Sequence, residues 1–205
     1  DGNNYLSVAS GANYKLTPAH IDQAVNSIIE AEIIVMQMEI PFDTTKYVFE
    51  LAAKHNIKVL FNLAPARPFD VAVLKSTYAF VVNEVETSMV TGLKVETDDE
   101  IITAARELLN LGCKTAIITL GARGSYVASE DFKGFVPAFK VKAVDTTAAG
   151  DVYCGSLAAA LVEGKSLADA VRFAGAASAI CVTRLGAQPS APLRKEIDDF
   201  INVNQ

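Results

Sequence analysis

Hydrophobic positions along the chain alternate between helix-like stripes and short, continuously apolar runs. The first stripe begins after Thr17-Pro18, a typical helix start, and its members share the spacing of one helix face: Ile21, Ala24, Val25, Ile28 and Ile29. Five apolar runs predict strands, at residues 32–36, 57–61, 78–82, 114–120 and 125–129. Because most of these runs lack a clean apolar–polar alternation, we expect the sheet to be buried on both faces.

Helices are predicted between the apolar runs, where capping residues stand at one end or glycines at the other. They cover residues 43–55, 70–75, 83–91 and 97–111, and Asp43 and Gly92 are among the expected end residues. Strands that alternate with helices predict a parallel sheet with right-handed crossovers. Since no linker or repeat divides the sequence, we expect residues 1–205 to form a single α/β domain.

Composition and charge exclude several classes of function. The 205 residues carry 18 Lys and Arg against 24 Asp and Glu, a net charge of −6, so neither nucleic acid nor an anionic membrane is an expected partner. No apolar run is long enough to span a membrane. The cysteines Cys113, Cys154 and Cys181 cannot all pair and have no CxxC spacing, which predicts reduced thiols and a cytoplasmic protein. Two histidines are too few for a His-rich metal site.

Polar residues or a glycine follow four of the predicted strands. Glu39, Asn62, Asn83 and Gly121 come after the first, second, third and fourth strand. In a parallel sheet the carboxyl ends of the strands meet at one edge, and ligands bind there. We therefore expect these residues to mark a binding site, although helix caps also favour Asn and Gly.

The segment at residues 144–151, Val-Asp-Thr-Thr-Ala-Ala-Gly-Asp, leads into a helix with small residues on one side. Small residues at a helix start leave its backbone N–H groups open to an anion. Asp151 stands beside them as an ionised carboxylate that could accept a proton from a hydroxyl, and this combination suits phosphoryl transfer. From spacing alone, the alternative that Asp151 or Thr147 only caps the helix stays open.

Two further features are compatible with a nucleotide but are weaker signals. The loop at residues 119–124 carries Gly121 and Gly124, which let a backbone approach phosphates, yet a plain tight turn explains it as well. Asn83 and Glu86 could hold phosphate and Mg²⁺ through water, whereas an Asn cap with a Glu in the first turn explains them equally well.

The segment at residues 145–151 resembles the DTxxAGD-type signature of the ribokinase-like carbohydrate kinases. Segments at residues 10–13, 36–39, 62–66, 83–86 and 182–190 are similar to that family in the same order. The resemblance implies a three-layer α/β/α fold with a mostly parallel central sheet. It also implies that residues 1–12 are a remnant of a small β lid and residues 13–205 a core with the nucleotide site. The turn-like opening, Asp-Gly-Asn-Asn, suggests that a further N-terminal portion belongs to this lid and sheet.

The resemblance implies ATP-dependent phosphorylation of D-ribose at its 5-hydroxyl group. Asp151 is then the general base, and the amides of Ala148, Ala149 and Gly150 form the anion hole. Glu39 and Leu6 are expected to contact the sugar. The open alternatives are fructose, another sugar or a nucleoside as substrate, and a non-catalytic nucleotide-binding remnant that has lost its sugar site.

The resemblance also implies sites for ATP, Mg²⁺ and K⁺ and a homodimer formed through the lid. The residues expected at ATP are Asn83, Thr119, Leu120, Gly121, Ala122, Arg123, Gly124, Gly150 and Gly175. Glu86 is expected near Mg²⁺. The K⁺ site is expected to use the side chains of Asp145 and Ser190 and the carbonyl groups of Thr147, Cys181, Arg184 and Gly186.

Overall fold

A computed structural model of the chain describes residues 9–204, in which strands alternate with helices in the predicted order. The strands are β1 (Ile33–Met36), β2 (Lys58–Asn62), β3 (Ala79–Asn83), β4 (Thr115–Thr119), β5 (Ser125–Ser129) and β6 (Lys133–Val136). The α-helices are α1 (Pro18–Gln23), α2 (Val25–Ile29), α3 (Phe42–His55), α4 (Glu84–Thr91), α5 (Asp98–Asn110), α6 (Ala149–Val162), α7 (Leu167–Cys181) and α8 (Arg194–Val203). Leu6 and most of the expected lid strand lie outside the described residues.

The strands form one sheet in sequence order, from β1 at one edge to β6 at the other edge of the described part. β1 to β4 pair in parallel, with Val35 opposite Leu60 and Val81 opposite Ile117. β5 pairs antiparallel with β4, and β6 pairs antiparallel with β5, because a short turn connects each of them to the preceding strand. The prediction of a mostly parallel sheet is confirmed. The apolar pattern does not predict β6, whose residues alternate between exposed and half-buried.

Both faces of the sheet are covered by helices. One face packs against α3 and α5 in an apolar cluster that includes Phe49, Phe61 and Leu108. The other face packs against α6 and α7 in a second cluster, which includes Leu60 and Leu157. Since neighbouring residues of one strand enter opposite clusters, the strands are apolar throughout, as the sequence pattern indicates. The expected three-layer α/β/α arrangement is therefore present.

The first predicted helix is divided into two. At Ala24 the backbone leaves the helical region (φ −104°, ψ 6°), so α1 ends there and α2 begins at the next residue. Of the apolar stripe, only Ile21 is buried. Val25 and Ile28 are half-buried against the same core cluster as Ile21, so the stripe contacts the core on both sides of the break.

Local capping elsewhere follows the prediction with small differences. The N-cap of α3 is Pro41, and Asp43 lies instead in the first turn, where the positive end of the helix dipole favours a carboxylate. The short segment Val71–Ser76 is a 3-10 helix that Asp70 caps through the N–H of Ala72, at 3.0 Å. Gly92 ends α4 with a left-handed backbone (φ 70°), as expected.

Candidate active site

The polar residues that follow the parallel strands are placed at one edge of the sheet. Asn62 and Asn83 are the last residues of β2 and β3, Gly121 lies just beyond β4, and Glu39 lies just beyond β1. Asn62 donates its side-chain N–H to the carbonyl oxygen of Val81 at 3.0 Å, so it links neighbouring strand ends. The predicted edge is thus assembled as the alternation of strands and helices indicates.

Helix α6 begins at this edge with an unusual backbone. Its N-cap is Ala148, which has a left-handed conformation (φ 62°, ψ 5°) and no side chain that could cap the helix. Asp151 is the third residue of the helix and is exposed. The alternative that Asp151 or Thr147 caps α6 is therefore not what the structure contains. A non-glycine residue in this conformation costs free energy, and such strain concentrates at functional sites.

The backbone N–H groups at the start of α6 differ in whether they have a hydrogen-bond acceptor. The N–H groups of Ala148, Gly150 and Asp151 meet no acceptor among residues 9–204. The N–H of Ala149 instead donates to the carbonyl oxygen of Thr146 at 3.3 Å, a long hydrogen bond. Unpartnered amides at a helix N-terminus bind anions, since the helix dipole adds to their partial positive charge.

Asp145 connects the loop before α6 to the loop after α7. One carboxylate oxygen accepts the N–H of Thr147 at 2.9 Å, and the other accepts the N–H of Gly186 at 3.0 Å. The N–H groups of Val144 and Asp145 also donate to the carbonyl oxygen of Val182. Hydrogen bonds from Thr147 and Gly186 hold the pKa of Asp145 below its ordinary value, so its carboxylate is charged at neutral pH.

The residues expected at the cation site lie in these two loops and at the end of α7, whose last residue is Cys181. Ser190 is fully buried, and its Oγ contacts Sγ of Cys181 at 3.1 Å and donates to the carbonyl oxygen of Ala187 at 2.6 Å. Sγ of Cys181 also lies 3.7 Å from the carbonyl oxygen of Thr147. Among residues 9–204 the carbonyl oxygens of Arg184 and Gly186 accept no hydrogen bond. The carbonyl oxygen of Cys181 accepts the N–H of Arg184 at 3.0 Å, but a carbonyl or carboxylate oxygen can also accept a second partner. Carbonyl and carboxylate oxygens are the ligands that alkali cations prefer, so these residues could hold K⁺.

Ser178 is a residue of this site that the sequence does not reveal. From α7 its Oγ donates to the carbonyl oxygen of Ala149 at 3.1 Å and so fastens the first turn of α6. The two residues are 29 positions apart, and no local pattern indicates that they meet. Helices α6 and α7 share one apolar cluster that contains many alanines, among them Ala158 on α6 and Ala174 on α7.

The loop at residues 119–124 is a tight turn held by its own backbone. The N–H of Leu120 donates to the carbonyl oxygen of Gly124 at 2.8 Å, and Gly121 and Gly124 both have positive φ, at 54° and 99°. Arg123 points back to the protein, where its guanidinium pairs with Glu84 at 3.0 Å and Asp98 at 3.7 Å. The loop is therefore tied to the start of α4 and of α5.

Asn83 and Glu86 form a capping box at the start of α4. Glu86 Oε2 accepts the N–H of Asn83, and Asn83 Oδ1 accepts the N–H of Glu86, both at 2.8 Å. The capping alternative is thus realised, and it engages only one carboxylate oxygen of Glu86. Glu86 is buried, and burial raises the pKa of its carboxyl above the ordinary value.

Cys154 is a buried thiol near the start of α6. It lies one turn after Asp151 on the same helix. Burial, and then the negative charges of Asp151 and Glu86, raise the pKa of the Cys154 thiol to about 12. Burial and both carboxylates disfavour the thiolate, so Cys154 is a neutral thiol at neutral pH.

The remaining predicted residues are placed as follows. Gly175 is half-buried on α7, and a Cβ atom added to it would meet open space. Glu39 is exposed beyond β1, and Leu6 lies outside the described residues.

Residues 9–204 contain no group of three or more His, Cys, Asp or Glu side chains arranged to hold a metal ion; sites built from carbonyl or hydroxyl ligands are not of this kind. In the same range, none of the helices combines the length and the apolar character needed to cross a membrane.

Comparison with known proteins identifies relatives along the whole chain. Residues 1–194 match the family described as pfkB family carbohydrate kinase. The chain is 36% identical over 199 residues to a ribokinase of Staphylococcus aureus and 35% identical over 206 residues to a deoxyribokinase of Salmonella typhi. The structure of Arabidopsis thaliana ribokinase complexed with ribose and ATP is similar, with a TM-score of 0.89 and 32% identity.

The matches cover nearly all of this chain but only part of each relative. They include 97% of the chain and 66% of the Staphylococcus aureus protein, 100% of the chain and 67% of the Salmonella typhi protein, and 98% of the chain and 66% of the Arabidopsis thaliana structure. The chain therefore spans about two thirds of the length of these relatives. Together with the sheet and the start of α6, these matches establish that the chain belongs to the pfkB family of carbohydrate kinases.

Proposed function

We propose that the protein transfers the γ-phosphoryl group of ATP to the 5-hydroxyl group of D-ribose, and that this chain carries its nucleotide and phosphoryl-transfer site. One observation carries the proposal. At the start of α6, unpartnered amides of Ala148 and Gly150 stand one turn or less from the exposed carboxylate of Asp151. An anion site beside a base is the arrangement that phosphoryl transfer requires.

In the proposed reaction Asp151 is the general base. Its carboxylate accepts the proton of the sugar hydroxyl as the hydroxyl oxygen forms a bond to the γ-phosphorus. The bond between that phosphorus and the bridging oxygen breaks, and its electron pair leaves with ADP. The N–H groups of Ala148 and Gly150 stabilise the charge on the transferred group. The amide of Ala149, assigned to the same anion hole, takes part only after it releases the carbonyl oxygen of Thr146.

ATP is proposed to lie along the edge formed by the loop at residues 119–124, Asn83, Gly150 and Gly175. In this loop the N–H groups of Gly121 and Ala122 meet no acceptor among residues 9–204, whereas the N–H of Gly124 donates to the carbonyl oxygen of Gly121. Leu120 and Arg123 hold the loop in place. The open space beside Gly175 suits a flat base. Glu86, through the carboxylate oxygen that the capping box leaves free, is the residue proposed to face Mg²⁺.

Asp145 and Ser190, with the carbonyl groups of Thr147, Cys181, Arg184 and Gly186, are proposed to hold K⁺. A cation bound there supplies positive charge next to the anion hole without contact with either substrate. Asp145 already accepts the N–H of Thr147, directly before Ala148. Through that hydrogen bond, the occupancy of the site sets the backbone of the anion hole.

Glu39 and Leu6 are the proposed contacts to the sugar, and the lid to which Leu6 belongs is the proposed dimer contact. A second sugar, 2-deoxy-D-ribose, is a candidate because one relative at 35% identity is named deoxyribokinase. Fructose, another sugar, a nucleoside and a non-catalytic nucleotide-binding role are the remaining alternatives.

The proposal is tested by ADP release from ATP, with Mg²⁺ and K⁺ present, across ribose, 2-deoxyribose, fructose and adenosine. We expect release that depends on ribose. Release with only one of the other compounds would replace ribose by that compound, whereas ATP binding without release in any mixture would support the non-catalytic role.

We also expect K⁺ to raise the rate of ADP release severalfold when it replaces Na⁺ at equal ionic strength. In Asp145→Asn this response should disappear, because the substitution removes the only side-chain charge proposed at the cation site. Asp131→Asn, which removes an exposed carboxylate outside the site, is the matched control and should respond as the wild type does. Equal rates of ADP release in K⁺ and Na⁺ for the wild type would show that K⁺ does not activate the protein.

A further inference from the structure

A hollow lies at the opposite end of the parallel strands from Asp151. Its cavity volume is about 430 Å³, and its lining includes Lys58, Lys75, Lys114, Asn56, Thr77 and Tyr78. Lys58 is the first residue of β2, Tyr78 directly precedes β3 and Lys114 directly precedes β4. Strands of five residues are roughly 16 Å long, so the hollow and the start of α6 are separate sites.

The hollow is positively charged in a chain that is negatively charged overall. Its lining contains three lysines and no carboxylate, although the chain has a net charge of −6. None of the three ammonium groups forms an ion pair within residues 9–204, whereas Lys46 and Lys195 each pair with an aspartate. Unpaired like charges around one hollow repel one another, and a bound anion relieves that repulsion.

Two of these lysines have defined packing. The Nζ atom of Lys58 lies 4.7 Å from the centre of the Tyr78 ring, a cation–π contact. The stem of Lys75 packs on Gly112, where an added Cβ would lie 2.8 Å from its Cγ atom. Lys114 is fixed at its backbone, since its N–H donates to the carbonyl oxygen of Thr77 at 3.1 Å. The three residues therefore come from separate segments that the fold holds together.

We propose that this hollow binds a compact inorganic polyanion of the diphosphate type. Three ammonium groups match several negative charges, and the side chains of Asn56 and Ser76 add polar groups to the lining. The lining holds one aromatic side chain, Tyr78, and the Nζ atom of Lys58 already occupies one face of its ring. Charge and shape thus favour pyrophosphate over a nucleotide.

The test is isothermal titration calorimetry with inorganic pyrophosphate, at low ionic strength and without Mg²⁺ or nucleotide. We expect the wild type to bind and the double variant Lys75→Gln/Lys114→Gln to bind at least about tenfold more weakly. The matched control is Lys133→Gln/Lys140→Gln, which removes the same charge from exposed positions outside the hollow. This control should bind as the wild type does.

Three outcomes would overturn the proposal: no binding by the wild type, unchanged binding by the first double variant, or an equal loss in both double variants. Unchanged binding in Lys75→Gln/Lys114→Gln would place pyrophosphate at the start of α6 instead. Thermal unfolding of each variant checks that the fold is intact. The single variant Lys114→Gln, at an exposed position, should also bind pyrophosphate more weakly than the wild type, but with a smaller loss of affinity than the double variant.

Discussion

Replacement of Asp151 by Asn is expected to lower the rate of phosphoryl transfer by about 10³-fold while ATP binding remains nearly unchanged. The amide cannot accept the proton of the sugar hydroxyl, yet it has the shape of the carboxylate and leaves the backbone at the start of α6 in place. The measurement is single-turnover formation of ADP with ribose, together with ATP affinity from equilibrium titration.

The matched control is Asp43→Asn, which removes an exposed carboxylate from the first turn of a different helix. Both substitutions weaken the favourable interaction of a carboxylate with a helix dipole, by less than about 1 kcal/mol. Only Asp151→Asn should affect the chemical step. A wild-type rate in Asp151→Asn would show that another group takes the proton.

Gly124→Ala is expected to destabilise the protein by about 3 kcal/mol or more. Gly124 has φ 99°, and an added Cβ would lie 2.1 Å from the carbonyl oxygen of Val136 and 2.6 Å from the backbone nitrogen of Ala138. Both obstacles are backbone atoms of the segment that ends β6, so neither can rotate away. Urea unfolding measures the loss, and ATP affinity should fall because the loop must shift.

Gly121→Ala in the same turn separates the clash from backbone strain. Gly121 also has positive φ, at 54°, but nothing lies within 4 Å of an added Cβ. This substitution should therefore cost only about 1 kcal/mol, the penalty for a left-handed alanine. Equal losses in the two variants would mean that the contact between the loop and the end of β6 does not limit stability.

Much of the fold follows from local chemistry. The helix ends are where the sequence predicts them: α4 and α5 begin after the side-chain caps Asn83 and Thr97, and α4 ends at Gly92. The strands follow from apolar runs that are buried on both faces, and parallel pairing then brings Asn62 and Asn83 to one edge. These features depend on short stretches of sequence, so the sequence alone is sufficient to predict them.

The features that the sequence does not predict depend on contacts between distant segments. Ser178 meets the carbonyl of Ala149 only because α6 and α7 pack side by side. The break at Ala24 divides a stripe whose helical spacing continues across it. The sequence does not distinguish a capping box from a metal site at Asn83 and Glu86, because both use the same residue types at the same spacing.

The central claim is that the protein phosphorylates the 5-hydroxyl of D-ribose with Asp151 as the base. Phosphorus-31 NMR of the protein with ATP, Mg²⁺, K⁺ and D-ribose tests it most directly, because it identifies the product as well as the loss of ATP. We predict the growth of the D-ribose 5-phosphate resonance in step with ADP, and its absence in Asp151→Asn. Formation of a different sugar phosphate, or of ADP and free phosphate without ribose 5-phosphate, would contradict the account, as would an unchanged ATP spectrum with the wild type.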